Sequence, residues 1–166
     1  MNTSDILTLY DYNYWANRQI MAASARVSLE QFVAPTGHNY GSLRGTLVHT
    51  LEGECAWRML YQHQTLEHFG AMKEEDFPTL DVLARRWSED ERAMRDYLAS
   101  LTDADLVGHL RYTTDEGDKR DRLLWHCLFH VVNHGTQHRS EAAAILTGYD
   151  CSPGDLDFTA FMNEQH

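Results

Sequence analysis

Apolar positions recur at three- and four-residue intervals in four long stretches of the chain, the spacing of helices that bury one face. Pro35, Gly37 and Gly41 interrupt the pattern after the first stretch. Gly148 follows the last stretch, and glycine commonly occurs just after a helix C-terminus. The pattern therefore predicts four helices, at about residues 5–24, 42–63, 80–101 and 119–147.

Residue types that cap helices support two of these starts. Ser4 and Asp5 are placed to cap the first helix, and Thr79 to cap the third. Residues 102–118 have no helical pattern and include a short β-prone piece, which predicts an irregular crossover that is compatible with a hairpin. Together these features predict an all-α fold: a four-helix bundle in one domain, residues 1–166, with this crossover between the third and fourth helices.

The net charge of the chain limits the kinds of molecule that it is expected to bind. The chain has 25 acidic and 14 basic residues and a formal net charge of −11. Such a field repels phosphate backbones and anionic lipid, so we expect a small-molecule substrate and neither nucleic acid nor a membrane as partner. The first residues lack a basic segment before an apolar run, which favours a cytoplasmic protein. Three cysteines without a C-x-x-C motif suit a reducing compartment.

Four histidines spaced four residues apart, His126, His130, His134 and His138, are the main candidates for chemistry. At about 100° per residue, His134 and His138 project toward the apolar face of the fourth helix, His130 toward its margin and His126 toward solvent. Imidazoles at i and i+4 can bind one metal ion. The competing interpretation is that the histidines are polar residues that solvate an internal cavity without a metal, and the pattern favours neither strongly.

A metal in a helical bundle needs a further ligand from a facing helix. His49 is the best candidate, because it is in line with Gly53, Ala56 and Leu60, a stripe of mostly small residues that would let another helix approach. A more hydrophobic stripe on the same helix begins at Leu43, so periodicity alone does not select His49.

Several common classes of enzyme are excluded because the chain lacks their sequence motifs. Gly135 stands where the H-E-x-x-H motif of metalloproteases has its glutamate. The chain also lacks G-x-S-x-G, a P-loop and G-x-G-x-x-G, which removes the commonest serine hydrolase and nucleotide-binding classes.

The chain resembles the DinB/YfiT-like superfamily of metalloenzymes along nearly its whole length. The resemblance rests on the segments "YNYWANRQI", "LRGTLVHTLEGECAWR", "HVVNHGTQHRSEAAAIL" and "PGDLDF". It implies a four-helix bundle, often a homodimer, with a divalent metal, usually zinc or nickel, held by His49, His134 and His138. Many members have H-R-G-Q where this chain has "HRSE". The resulting Glu141 either adjusts the basicity of the ligand His138 one turn away or is a solvated surface residue, and we favour the surface interpretation.

The resemblance also implies a reaction. Characterised relatives include transferases and isomerases that activate a low-molecular-weight thiol, such as bacillithiol or mycothiol, at the metal. From this resemblance, we expect the protein to activate a thiol cosubstrate for attack on a small electrophile. A hydrolase that uses activated water and a metal-binding or ligand-binding module without catalysis are the alternatives.

Four further residues are candidates for the surroundings of the site. Asn17 shares the inward stripe of the first helix and Trp15 lies at its edge, so both are candidates for pocket lining. His130 and Asp157 are candidates for the pocket or for the outer shell of the metal, where carboxylates often orient ligating histidines. Glu52 is a weaker candidate for the same role.

Overall fold

The structure is a computed structural model, and it describes residues 1–114 and 116–165. The described part of the chain is mostly helical, with one small antiparallel sheet. The helices are α1 (Thr3–Ser24), α2 (Leu29–Val33), α3 (Leu43–His63), α4 (Leu80–Ala99), α5 (Asp103–Leu106), α6 (Leu124–Gly148) and α7 (Phe158–Glu164). The strands are β1 (His109–Thr113) and β2 (Lys119–Leu123), and a 3₁₀ turn covers Glu74–Asp76.

The four long helices, α1, α3, α4 and α6, pack around a shared core. Helix α6 packs against both α1 and α3, and α4 closes the other side by packing against the same two helices. Apolar residues form one cluster near the hairpin and a second cluster toward the opposite ends of the helices. The second cluster includes the fully buried residues Ile20, Leu43, Leu47, Leu51, Leu83 and Leu146.

The fourth predicted helix starts too early. Residues 119–123 form strand β2, and α6 begins only at Leu124. Strand β2 pairs with β1 from Thr113↔Lys119 to His109↔Leu123, which confirms a hairpin in the crossover. Pairing satisfies the backbone groups of this short polar segment, which has no apolar helical face to bury.

Three of the predicted helix caps need correction. Asn2 caps α1 instead of Ser4 or Asp5: its side chain accepts from the Asp5 backbone N–H, and the Asp5 carboxylate accepts from the Asn2 N–H, both at 2.9 Å. Thr79 occupies the cap position of α4 without a side-chain capping bond. Gly148 remains inside α6, and the residue with left-handed backbone after the helix is Asp150, with φ 56°.

Among the described residues, no helix has both the length and the apolar character that crossing a bilayer requires.

Candidate metal centre

Helices α3 and α6 bring three predicted site residues together along their shared seam. His49 comes from α3, and His134 and His138 come from successive turns of α6. One ring nitrogen from each lies within 4.8 Å of the other two. His138 is buried, and His49 and His134 are partly exposed. The cluster therefore lies close to the protein surface, within reach of small molecules.

The spacing of the ring nitrogens fits a metal ion. Nε2 of His134 is 3.2 Å from Nε2 of His49. Two nitrogens bonded at about 2.05 Å to one tetrahedral zinc are about 3.3 Å apart, so these two atoms already have the separation of a ligand pair. His138 faces both rings nearly edge-on, with ring centroids 4.6 Å from His49 and 4.4 Å from His134.

Gly53 makes the close approach of the two helices possible. A Cβ at this position would lie 2.8 Å from Cε1 and 3.2 Å from Nδ1 of His134. The His134 ring therefore occupies the space that any other residue at position 53 would fill. This contact explains the small-residue stripe beside His49 that the sequence shows.

Tyr40 covers the cluster from the loop before α3. Its ring stacks on His49 at 3.9 Å with an interplanar angle of 13°, and it meets His138 edge-on at 5.2 Å. Gly45 allows this placement, because a Cβ there would overlap the Tyr40 carbonyl oxygen. The loop thus restricts the His49 ring to one orientation.

Glu141 orients His138 from the next turn of α6. Its carboxylate lies 2.9 Å from Nδ1 of His138, and it is only partly exposed. The prediction that Glu141 is a plain surface residue is therefore wrong. A carboxylate on one imidazole nitrogen directs the other, Nε2, toward the metal position and makes it a stronger donor. Glu52, a candidate for this role, instead accepts from the Met72 backbone N–H at 2.9 Å.

The cluster keeps its imidazoles ready to bind a metal. Burial, followed by the neighbouring His138 and His49 rings, lowers the pKa of His134 to about 4. Burial and the His138 ring also lower the pKa of His49 below its ordinary value. Both rings are therefore neutral at pH 7, the form whose lone pair binds a metal.

A buried polar network lies directly beside the histidines. Glu54 accepts from the side-chain amides of Asn13 at 2.8 Å and Asn17 at 3.0 Å, and from the Trp87 indole at 2.7 Å. Arg139 donates to the amide oxygens of the same two asparagines at 2.6 and 2.8 Å. Because Glu54 and Arg139 are both buried, the network neutralises two charges in the core and joins α1, α3, α4 and α6.

Gly135 leaves room for this network. A Cβ there would lie 2.6 Å from a guanidinium nitrogen of Arg139 and 2.8 Å from the amide oxygen of Asn13. Since Arg139 follows His138 in the chain and Glu54 follows Gly53, the network fixes the helix turns that carry the metal ligands.

The structure places the remaining candidates in different surroundings. Asn17 belongs to the polar network just described. His130 is exposed one turn before His134, with its ring 5.1 Å from that of Trp57. The Trp15 indole donates to Glu164 of α7 at 2.7 Å, and Asp157 occupies the cap position of the same helix. Trp15 and Asp157 are therefore not brought to the histidine cluster.

Sequence reasoning missed Tyr40, Arg139 and Glu54 at this site. Tyr40 lies in a loop without periodicity, so no pattern pointed to it. Two of them carried a usable signal, because both are charged residues on helices with apolar faces. Arg139 directly follows the predicted ligand His138, and Glu54 directly follows Gly53 of the small-residue stripe.

Comparison with known proteins identifies the family of the chain. The chain is 26% identical over 161 residues to "Protein DinB" of Bacillus subtilis (strain 168), and the match covers 94% of each chain. The family model described as "DinB family" matches residues 1–165. The chain belongs to the DinB family.

Proposed function

We propose that the protein is a divalent-metal enzyme in which His49, His134 and His138 hold zinc or nickel and present it to a low-molecular-weight thiol. The observation that carries the proposal is the 3.2 Å separation of the His49 and His134 Nε2 atoms, beside a third imidazole oriented by Glu141. Four long helices in the arrangement described are consistent with the four-helix bundle predicted from the sequence.

The donor set favours catalysis over a structural role. Three neutral imidazoles leave the charge of a divalent ion uncompensated, and three protein ligands leave a tetrahedral position for a substrate. A metal held in this way supplies an electrophilic centre that lowers the pKa of a bound thiol toward neutrality. The partial exposure of His49 and His134 gives a small molecule access to that position.

The proposed reaction forms one carbon–sulfur bond. The thiol loses its proton to solvent, and its sulfur attacks an electrophilic carbon of the second substrate. The electron pair of the broken bond leaves with the leaving group, or remains on the substrate and takes up a proton when the reaction is an addition. The residues of the chain contribute by positioning: Glu141 fixes His138, and Tyr40 fixes His49.

Cobalt substitution tests this proposal. We expect the visible spectrum of cobalt-loaded protein to change when 2-mercaptoethanol is added at pH 7, and we expect no such change in His134→Ala. Activation of the thiol is then measured as the rate of its arylation by 1-chloro-2,4-dinitrobenzene, in which the carbon–sulfur bond forms and chloride leaves. A tetrahedral cobalt spectrum that does not change when the thiol is added would overturn the thiol proposal in favour of a closed, structural site. A spectrum that responds to pH but not to thiol would favour the hydrolase alternative. Homodimerisation and a cytoplasmic location stay predictions.

A further inference from the structure

A row of aromatic side chains leads from the candidate metal centre to the β1–β2 hairpin. The His134 ring lies 6.0 Å from His130, His130 lies 5.1 Å from Trp57, and Trp57 lies 5.4 Å from Tyr112, all between ring centroids. His130 is exposed, and Trp57 and Tyr112 are partly exposed. The row therefore presents ring surface to solvent along the α3–α6 seam.

The row ends at a basic pocket. Tyr112 also lines a cavity of about 330 Å³ on the hairpin. The charged residues that line this cavity are Arg111, Lys119, Arg120 and Asp121. Arg111 is paired with Asp121 and Arg120 with Asp118, so the three cations exceed the two carboxylates bound to them by one, in a chain of net charge −11. Its volume is at the lower end of the range for small-molecule sites.

Strand register places one of these cations on the same face of the hairpin as the last ring of the row. Tyr112 and Arg120 are directly paired across the hairpin, so their side chains lie on the same face. Leu110, two residues before Tyr112, is buried against the helices, which shows that this face is turned toward them. The Arg120 side chain is 37% exposed and already binds one carboxylate, that of Asp118, at 2.6 Å.

We propose that the metal centre and this pocket bind the two ends of one molecule: its thiol binds at the metal, and a carboxylate at its other end binds in the pocket. Trp57 and His130 contact the middle of this molecule. This inference rests on the proposed function and specifies its thiol: an elongated, anionic molecule. The three ring-to-ring steps limit the required length to at most that of about five extended residues, at about 3.5 Å each. Arginine recognises carboxylates with two parallel hydrogen bonds, and aromatic rings stabilise the body of a ligand through contact area.

The pocket is tested with two thiols of matched length that differ in charge. The acetylated peptide CGGGG and its C-terminal amide are titrated into cobalt-loaded protein, and binding is followed by the visible spectrum. We expect the peptide acid to bind at least threefold more tightly than the amide. Arg120→Gln should abolish that preference, and Arg92→Gln, a change of an exposed arginine on α4, should retain it. Equal binding of the two thiols by the wild type would overturn the pocket proposal and leave thiol binding at the metal intact.

A second experiment does not depend on the metal. Metal-free ¹⁵N-labelled protein is titrated with the S-methylated form of the same peptide acid, which keeps the carboxylate and has no free thiol. We expect chemical-shift changes at the Trp57 indole and at the Tyr112 and Arg120 amides, and weaker changes in 0.5 M salt. If no thiol alters the cobalt spectrum, the proposed function fails, and these shifts still decide the pocket. Shifts confined to other surfaces, or none at all, would overturn it.

Discussion

Replacing Gly53 by alanine should weaken metal binding although every metal ligand remains. The new Cβ would lie 2.8 Å from Cε1 of His134, whereas ordinary van der Waals contacts begin near 3.4 Å. Because the ring can rotate about its two side-chain torsions, the ring gives way while the helices stay in place. The cost therefore falls on the metal geometry and not on the fold.

The size of the effect follows from these distances. Relieving the overlap moves the ring by about 0.6 Å, the difference between the two contact distances, whereas metal–ligand bonds tolerate about 0.2 Å. We expect the zinc affinity to fall by about 10- to 100-fold, or about 1.4–2.8 kcal/mol. Alanine at a helix interior gains roughly 0.5–1 kcal/mol over glycine, so the stability of the metal-free protein should stay within about 1 kcal/mol of the wild type.

Zinc affinity is measured by competition with a chelating dye, and stability by urea unfolding in the presence of a chelator. Gly148→Ala is the matched control, because its Cβ would meet no atom of the described residues within 4 Å. If Gly53→Ala binds zinc as tightly as Gly148→Ala, the close packing of His134 on Gly53 does not set the position of the ligand, and the reasoning is refuted.

Three further perturbations probe the surroundings of the histidines. Glu141→Ala removes the carboxylate on Nδ1 of His138 and should weaken zinc binding by about 10- to 100-fold in the same dye competition; an unchanged affinity would contradict that role. Arg139→Ala leaves a buried carboxylate without its cation and should cost about 3–5 kcal/mol in urea unfolding, whereas Arg92→Ala on the surface should cost little; similar losses in both would contradict the network. Burial lowers the pKa of His134 from 6.5 to about 4, so the unfolded chain binds this proton more tightly and the metal-free protein loses stability as the pH falls through that window. Because the ring is partly exposed, His134→Gln should lose about 1–2 kcal/mol less than the wild type between pH 7 and pH 4.5, and equal losses would contradict the lowered pKa.

The sequence predicted the parts of the site that depend on helical periodicity. The projection of the fourth helix predicts His134 and His138 inward, His130 at the margin and His126 toward solvent. In the structure His138 is buried and His134 is partly exposed, whereas His130 is exposed like His126 and therefore lies further toward solvent than predicted. On a regular helix, the direction of each side chain follows from its position in the chain and the rotation of about 100° per residue. The sequence alone was therefore sufficient to predict which side of the helix each histidine occupies.

Features that depend on contacts between distant segments were beyond this reasoning. Tyr40 reaches His49 through a loop whose path depends on Gly45, and no periodic pattern records such a path. Residues 119–123 form a strand because they pair with β1, and the pattern of polar residues within this segment does not reveal that pairing. The facing ligand His49 was selected by family resemblance, because its helix presents two competing stripes.

Metal stoichiometry tests the central claim most directly. The protein is purified without tag or chelator and analysed by elemental analysis, alongside His49→Ala, His134→Ala and the exposed control His126→Ala. We predict about one divalent metal ion per chain in the wild type and in His126→Ala, and none in the other two variants. A wild-type protein that takes up no metal after reconstitution, or a His49→Ala protein that keeps it, would contradict the three-histidine site.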